Sequence, residues 1–127
     1  MEWYKGRTVV PGTRVFVYYN LHKQMFSVKA LDGEYVGKVV LHAPVVCLND
    51  CLFYVSPTGQ ARVRKEKRKN VHAGVVGSLL LEDTHMQGTE VIYNPYKYDT
   101  FIYSEDATPI KQAKQARLIN KRVFVNT

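Results

Sequence analysis

The chain of 127 residues lacks most of the devices that announce a particular chemistry. Its two cysteines, Cys47 and Cys51, are too few for a structural zinc site, which needs further ligands at matching spacing. They predict two reduced, mostly buried thiols rather than a disulfide. No window is apolar for the length that a membrane-spanning helix requires. The opening Met1-Glu2-Trp3-Tyr4-Lys5 leads into Gly6 and Arg7, not into an apolar signal-peptide run. The expected location is therefore the cytosol.

Catalytic patterns are missing as well. There is no phosphate-binding glycine loop, and Gly77 stands alone. No carboxylate pair falls at an informative spacing, and no Ser/His/Asp or Cys/His order is present. The His-x-Glu and paired cysteines of a deaminase are absent. His42, His72 and His85 are spread along the chain, a weak basis for a metal phosphodiesterase. The expectation is a protein that is not an enzyme, with no catalytic residues, no metal and no cofactor. Repeats, low-complexity tracts and linker-like stretches are also absent, so residues 1–127 read as a single domain.

What the chain does have is positive charge and aromatic rings. The net charge is +7, which favours acidic partners such as nucleic acid, nucleotides or an anionic surface. The charge concentrates in Arg62-Val63-Arg64-Lys65-Glu66-Lys67-Arg68-Lys69-Asn70, where six positive residues face one negative. Phe16, Tyr18, Tyr19 and Phe26 precede this run, and Tyr93, Tyr96, Tyr98 and Phe101 follow it. Cations that hold phosphates, close to rings that stack bases, suit a nucleotide ligand.

Apolar alternation predicts mostly strands. Val15, Val17, Tyr19 and Leu21 mark one strand face, with Phe16 and Tyr18 opposite. Phe26, Val28 and Ala30 repeat the pattern after His22-Lys23-Gln24, which predicts a hairpin. Two strands are expected over 36–42 and 45–55, with a break at Asn49-Asp50, and the first eleven residues suggest an edge strand. Strand character returns over 70–81. A hairpin is expected from 90–93 and 100–103, a loop over 106–113 and one final strand over 118–125. Ser56-Pro57 reads as a capping hydroxyl followed by proline at the first helical position, so 56–69 is expected to be a helix. Gly59 weakens that helix, and Ala61 and Val63 give it little apolar face, so it belongs on the surface. The expected class is α+β, a curved antiparallel sheet with one short basic surface helix.

Two constellations stand out as ligand candidates. Arg62, Arg64, Lys67 and Arg68, with Arg117, suit phosphate; the plain alternative for the run is a solvated charged face. Asn94-Pro95-Tyr96-Lys97-Tyr98 forms a stiff turn in which Asn94 offers a donor and an acceptor, and Tyr96, Tyr98 or Phe101 a stacking ring. Its plain alternative is an ordinary hairpin turn.

Three strings resemble a widespread family of small phage and prophage proteins. They are Tyr18-Tyr19-Asn20-Leu21-His22-Lys23 with Phe26-Ser27-Val28; Arg64-Lys65-Glu66-Lys67-Arg68-Lys69-Asn70-Val71-His72-Ala73; and Tyr93-Asn94-Pro95-Tyr96-Lys97. The family they resemble is that of the anti-Thoeris nucleotide sponges. That resemblance implies a homo-oligomer, with a hexamer among the arrangements open to it. It also implies sequestration of cyclic ADP-ribose signals, and of cyclic oligonucleotides in some members, in the cytoplasm of an infected bacterium. Binding without turnover agrees with a chain that lacks a catalytic set. The competing expectation is a basic RNA- or DNA-binding module, and a third is a nucleotide-degrading enzyme.

Overall fold

The computed structural model describes residues 3–55, 61, 73–94 and 100–127. A 3-10 turn covers Tyr4–Gly6, and ten strands follow. They are β1 (Arg14–Asn20), β2 (Met25–Ala30), β3 (Val39–Ala43), β4 (Val45–Val55), β5 (Ala73–Leu80), β6 (Thr89–Tyr93), β7 (Phe101–Tyr103), β8 (Pro109–Ile110), β9 (Gln112–Ile119) and β10 (Arg122–Asn126). All belong to one antiparallel sheet in the order β3-β2-β1-β5-β4-β9-β10-β6-β7-β8.

The α+β expectation is therefore corrected to an all-β sheet fold among the described residues. The physical reason is that strand side chains fill the core themselves, leaving no layer for a helix to complete. The stretch expected to be a basic helix, 56–69, lies outside the described residues except for Ala61.

Alternation explains the inner face. Val15 and Val17 of β1, Val28 and Ala30 of β2, and Val75 and Leu79 of β5 are buried, while their neighbours in sequence turn outward. Leu48 of β4 and Leu118 of β9 join the same cluster. Each such valine or leucine side chain contributes about 1.5–3 kcal/mol by leaving water. Gly77 is required on this inner face, because a Cβ there would stand 2.8 Å from Leu48 Cβ.

Three local features depart from simple alternation. In β4, one extra residue enters the ladder to β5 between Asn49 and Leu52, and Asp50 takes a φ of 50°. This bulge reverses the faces. Cys51 and Val55 turn inward, Phe53 packs on the core, and Leu52 and Tyr54 point out. Where one final strand is expected, β9 and β10 instead form a tight hairpin, with Asn120 and Lys121 at φ values of 52° and 64°. Two successive positive φ values suit the twist of a hairpin. The expected loop over 106–113 contains β8 and the start of β9.

The sheet curls over its own core. Only Lys111 separates β8 from β9, and its carbonyl accepts from the Phe53 N–H at 3.0 Å. The run 109–119 thus meets β7 at its start and β4 and β10 along the rest. Phe101 at the head of β7 meets Phe53, with ring centroids 5.2 Å apart. Lys121 of the β9–β10 turn sits 5.4 Å from the ring centre of Tyr19 at the end of β1. The outer edges are blunted: Trp3 bridges to Leu41 of β3, and β8 is two residues long with a proline.

Candidate functional site

The outer face of the sheet divides into an open end and a covered end. At the open end the strand registers align Lys29, Phe16, Val76, Leu52 and Gln112 in one row across β2, β1, β5, β4 and β9. The next row holds His42, Ser27 and Tyr18 on one side and the Gly74–Tyr54 pair on the other. Phe16 lies between two rings, with centroids 6.0 Å from Tyr18 and 6.3 Å from Tyr54, the latter edge-on at 83°. Tyr54 is 49% exposed and Leu52 46%.

Gly74 makes this arrangement possible. A Cβ there would stand 2.5 Å from Phe16 Cζ and 2.6 Å from the Val17 carbonyl oxygen. The phenyl ring therefore lies across bare β5 backbone, a glycine covered by a neighbouring ring. Charge borders the rings: Lys29 and Lys114 are exposed, and Arg14 is half-buried. The Arg14 guanidinium donates to the Asp50 carbonyl at 2.8 Å and to Ser78 Oγ at 3.2 Å. β4 and β5 form a hairpin whose last described pair is Val55 with Ala73. The connection between them carries the basic run.

One edge of this end is closed by polar groups and by the N-terminal segment. Ser27, fully buried, accepts from Asn20 Nδ2 at 3.1 Å and lies 2.9 Å from His42 Nδ1. Tyr4 packs edge-on against His42 at 4.8 Å, and Arg7 donates to the Val39 carbonyl at 2.9 Å. Burial, then the charge of Lys23, pushes the His42 pKa down.

The covered end lies beneath residues 81–88, which cross the outer face from β5 to β6 over three intervening strands. Arg117 holds this crossover through Asp83. Its Nε donates to Oδ1 at 2.8 Å and its Nη2 to Oδ2 at 2.9 Å. The two hydrogen bonds from Arg117, then the His85 backbone N–H, keep the Asp83 carboxyl well below the usual carboxylate range. The same pairing raises the Arg117 pKa. Cys47 lies beneath, accepting from the Thr84 N–H at 3.5 Å. Cys47 and Cys51 are free thiols, and burial pushes Cys51 up to about 12.

The residues singled out by sequence are distributed as follows. Arg62, Arg64, Lys67, Arg68, Tyr96 and Tyr98 lie outside the described residues. Asn94 is half-buried, and its N–H donates to the Thr100 carbonyl at 2.9 Å, closing the base of the β6–β7 turn. Phe101 is 6% exposed, with its ring against Phe53 and Tyr93, so it serves the core. Arg117 is engaged by Asp83. The Phe53–Phe101 contact brings the end of β4 close to the start of β7. It draws together the bases of the basic connection and of the Asn94 turn. Sequence reasoning missed Tyr54, Leu52, Gln112 and Lys114 as surface groups. The signal for Leu52 and Tyr54 was the break at Asn49-Asp50, beyond which the alternation reverses, whereas Gln112 fell in the stretch expected to be a loop.

A family model described as the Mycobacterium phage L5 gene 82 protein matches residues 8–126. The chain belongs to this family. The Gene 82 protein of Mycobacterium phage L5 is 39% identical over 117 residues, which cover 87% of this chain and 93% of that protein. No solved structure matches the chain. A small phage protein family is thus the part of the resemblance that the comparisons carry. Among the described residues no helix is long and apolar enough to cross a membrane.

Proposed function

We propose that this small phage protein binds single-stranded nucleic acid, without turnover, on the open end of the outer sheet face. The observation that carries the reading is the cluster Tyr18–Phe16–Tyr54, rings on a shallow sheet surface bordered by Lys29 and Lys114. Rings on a sheet accept any base, because every base has a stacking face, and each such contact contributes about 1–3 kcal/mol. Five adjacent strands span roughly 19 Å at the usual strand spacing, room for a few unstacked nucleotides. The described parts of β4 and β5 end at the Val55–Ala73 pair beside this cluster, and the sequence between them carries the basic run of a chain of net charge +7.

Fluorescence anisotropy with labelled oligonucleotides of increasing length tests this. Affinity should rise with length and fall linearly on a logarithmic salt axis, as counterion release requires. Affinity independent of both length and salt would overturn it.

A second reading has its own observation. The Phe53–Phe101 contact brings the bases of the basic connection and the Asn94 turn together, and both segments were expected to recognise one ligand. In that reading a homo-oligomer sequesters cyclic ADP-ribose in the host cytoplasm and returns it intact. Native mass spectrometry with cyclic ADP-ribose isomers tests it: a discrete oligomer carrying unaltered ligand supports it, and an unliganded spectrum at saturating ligand excludes it.

A further inference from the structure

Beside the β4 bulge, Asp50, Cys51 and Leu52 of β4 and Gln112, Ala113 and Lys114 of β9 line a cavity of about 470 Å³. That lies within the roughly 300–1,000 Å³ range of small-molecule sites. Leu52 and Ala113 supply apolar lining, and Arg14, Lys114, Gln112, Asp50 and Thr127 supply polar groups. Leu52 also belongs to the row that contains Phe16 and Val76, so the cavity adjoins the row that carries the Phe16 ring.

We propose that this cavity takes the phosphorylated terminal nucleotide of a bound strand. The inference rests on the single-strand reading above and adds a polarity to it. Lys114 is exposed and free to swing toward a phosphomonoester, whose second negative charge an internal phosphodiester lacks. Arg14 is already fixed by its bonds to Asp50 and Ser78, so its remaining donors are oriented before the ligand arrives. Gln112 presents an amide that donates and accepts, which suits a base edge. The Asp50 carboxylate repels phosphate and accepts from base amino groups or ribose hydroxyls.

The test compares three octanucleotides of one sequence, carrying a 5′-phosphate, a 3′-phosphate or hydroxyls at both ends. One phosphorylated form should bind about tenfold or more tighter than the hydroxyl form, the low end of what a charge-assisted hydrogen bond supplies. Lys114→Gln should erase that preference, and should weaken the hydroxyl form less than the phosphorylated one, by the share of a single backbone-phosphate contact. Tyr54→Ala should weaken all three alike and leave the preference intact. Equal binding of the three oligonucleotides, or a preference that survives Lys114→Gln, overturns the terminal-nucleotide site and leaves the single-strand reading standing. Failure of all three to bind overturns both.

Discussion

The two ends of the outer sheet face are built from the same strands and face the same solvent, yet they differ in how their side chains are satisfied. At the covered end, Arg117, Asp83, Cys47 and Thr84 bind one another beneath the β5–β6 crossover. Charge there meets charge within the chain. At the open end, Phe16, Tyr18 and Tyr54 lean on one another, Tyr54 and Leu52 keep about half their surface exposed, and the neighbouring lysines face solvent. The covered end looks like architecture and the open end like a place for a ligand. Arginine at one end and rings at the other carry opposite lessons from the same sheet. A cation already held in two hydrogen bonds is a poor candidate for phosphate, and a ring left partly exposed on a flat strand surface is a good one for a base.

Four perturbations break or sharpen that contrast. The largest effect is expected from Gly74→Ala, because the new methyl meets both the movable Phe16 ring and the fixed Val17 carbonyl. It should cost about 1–3 kcal/mol, as overpacking typically does, read as a lower urea midpoint, and oligonucleotide binding should fall with it. Tyr54→Ala should separate binding from stability. Loss of one stacking partner weakens oligonucleotide affinity by about 1–3 kcal/mol, while an exposed substitution moves folding stability by about 0.5 kcal/mol or less. Calorimetry for stability and anisotropy for affinity check the two halves.

Asp83→Asn should do the reverse, lowering thermal stability at neutral pH and leaving oligonucleotide affinity unchanged. Its pH signature follows from the depressed carboxyl. An acid held more strongly ionised in the fold stabilises at pH values above its unfolded pKa of about 4 and loses that contribution as pH falls through the folded value. Solvent screens this partly exposed pair, so the effect is modest. The native protein should lose stability on acidification below about pH 4 more steeply than the variant, which urea midpoints at several pH values measure. The smallest signal is expected from thiol alkylation. With its pKa pushed up to about 12, buried Cys51 should stay unmodified by iodoacetamide in the native protein and react once urea unfolds it.

Much of the fold was legible because alternation is local. The β1–β2 hairpin follows from Val15, Val17, Phe26 and Val28, and the β6–β7 pairing follows from the strands on either side of the Asn94 turn. What was not legible depends on single residues or distant partners. A lysine is an unexpected occupant of a left-handed turn position, so Asn120-Lys121 concealed the β9–β10 hairpin. One extra residue near Asp50 shifts the alternation of β4, so that Tyr54 stands on the outer face, opposite to that of Val46 and Leu48. Arg117 reads as a free cation until folding brings Asp83, thirty-four residues away, against it. The capping signal at Ser56-Pro57 led to an α+β class that the described sheet does not share. Of the candidate site, Phe16 and Tyr18 were visible as rings beside charge; their partner Tyr54 became visible only through the bulge.

The most direct measurement is a ¹⁵N-labelled nuclear magnetic resonance titration with a short single-stranded oligonucleotide, read residue by residue. Shifts concentrated at Phe16, Tyr18, Leu52, Tyr54 and Val76, with Cys47, Asp83 and Arg117 unmoved, are the predicted result. Shifts concentrated at the covered end, or none on either end at saturating oligonucleotide, would contradict the account.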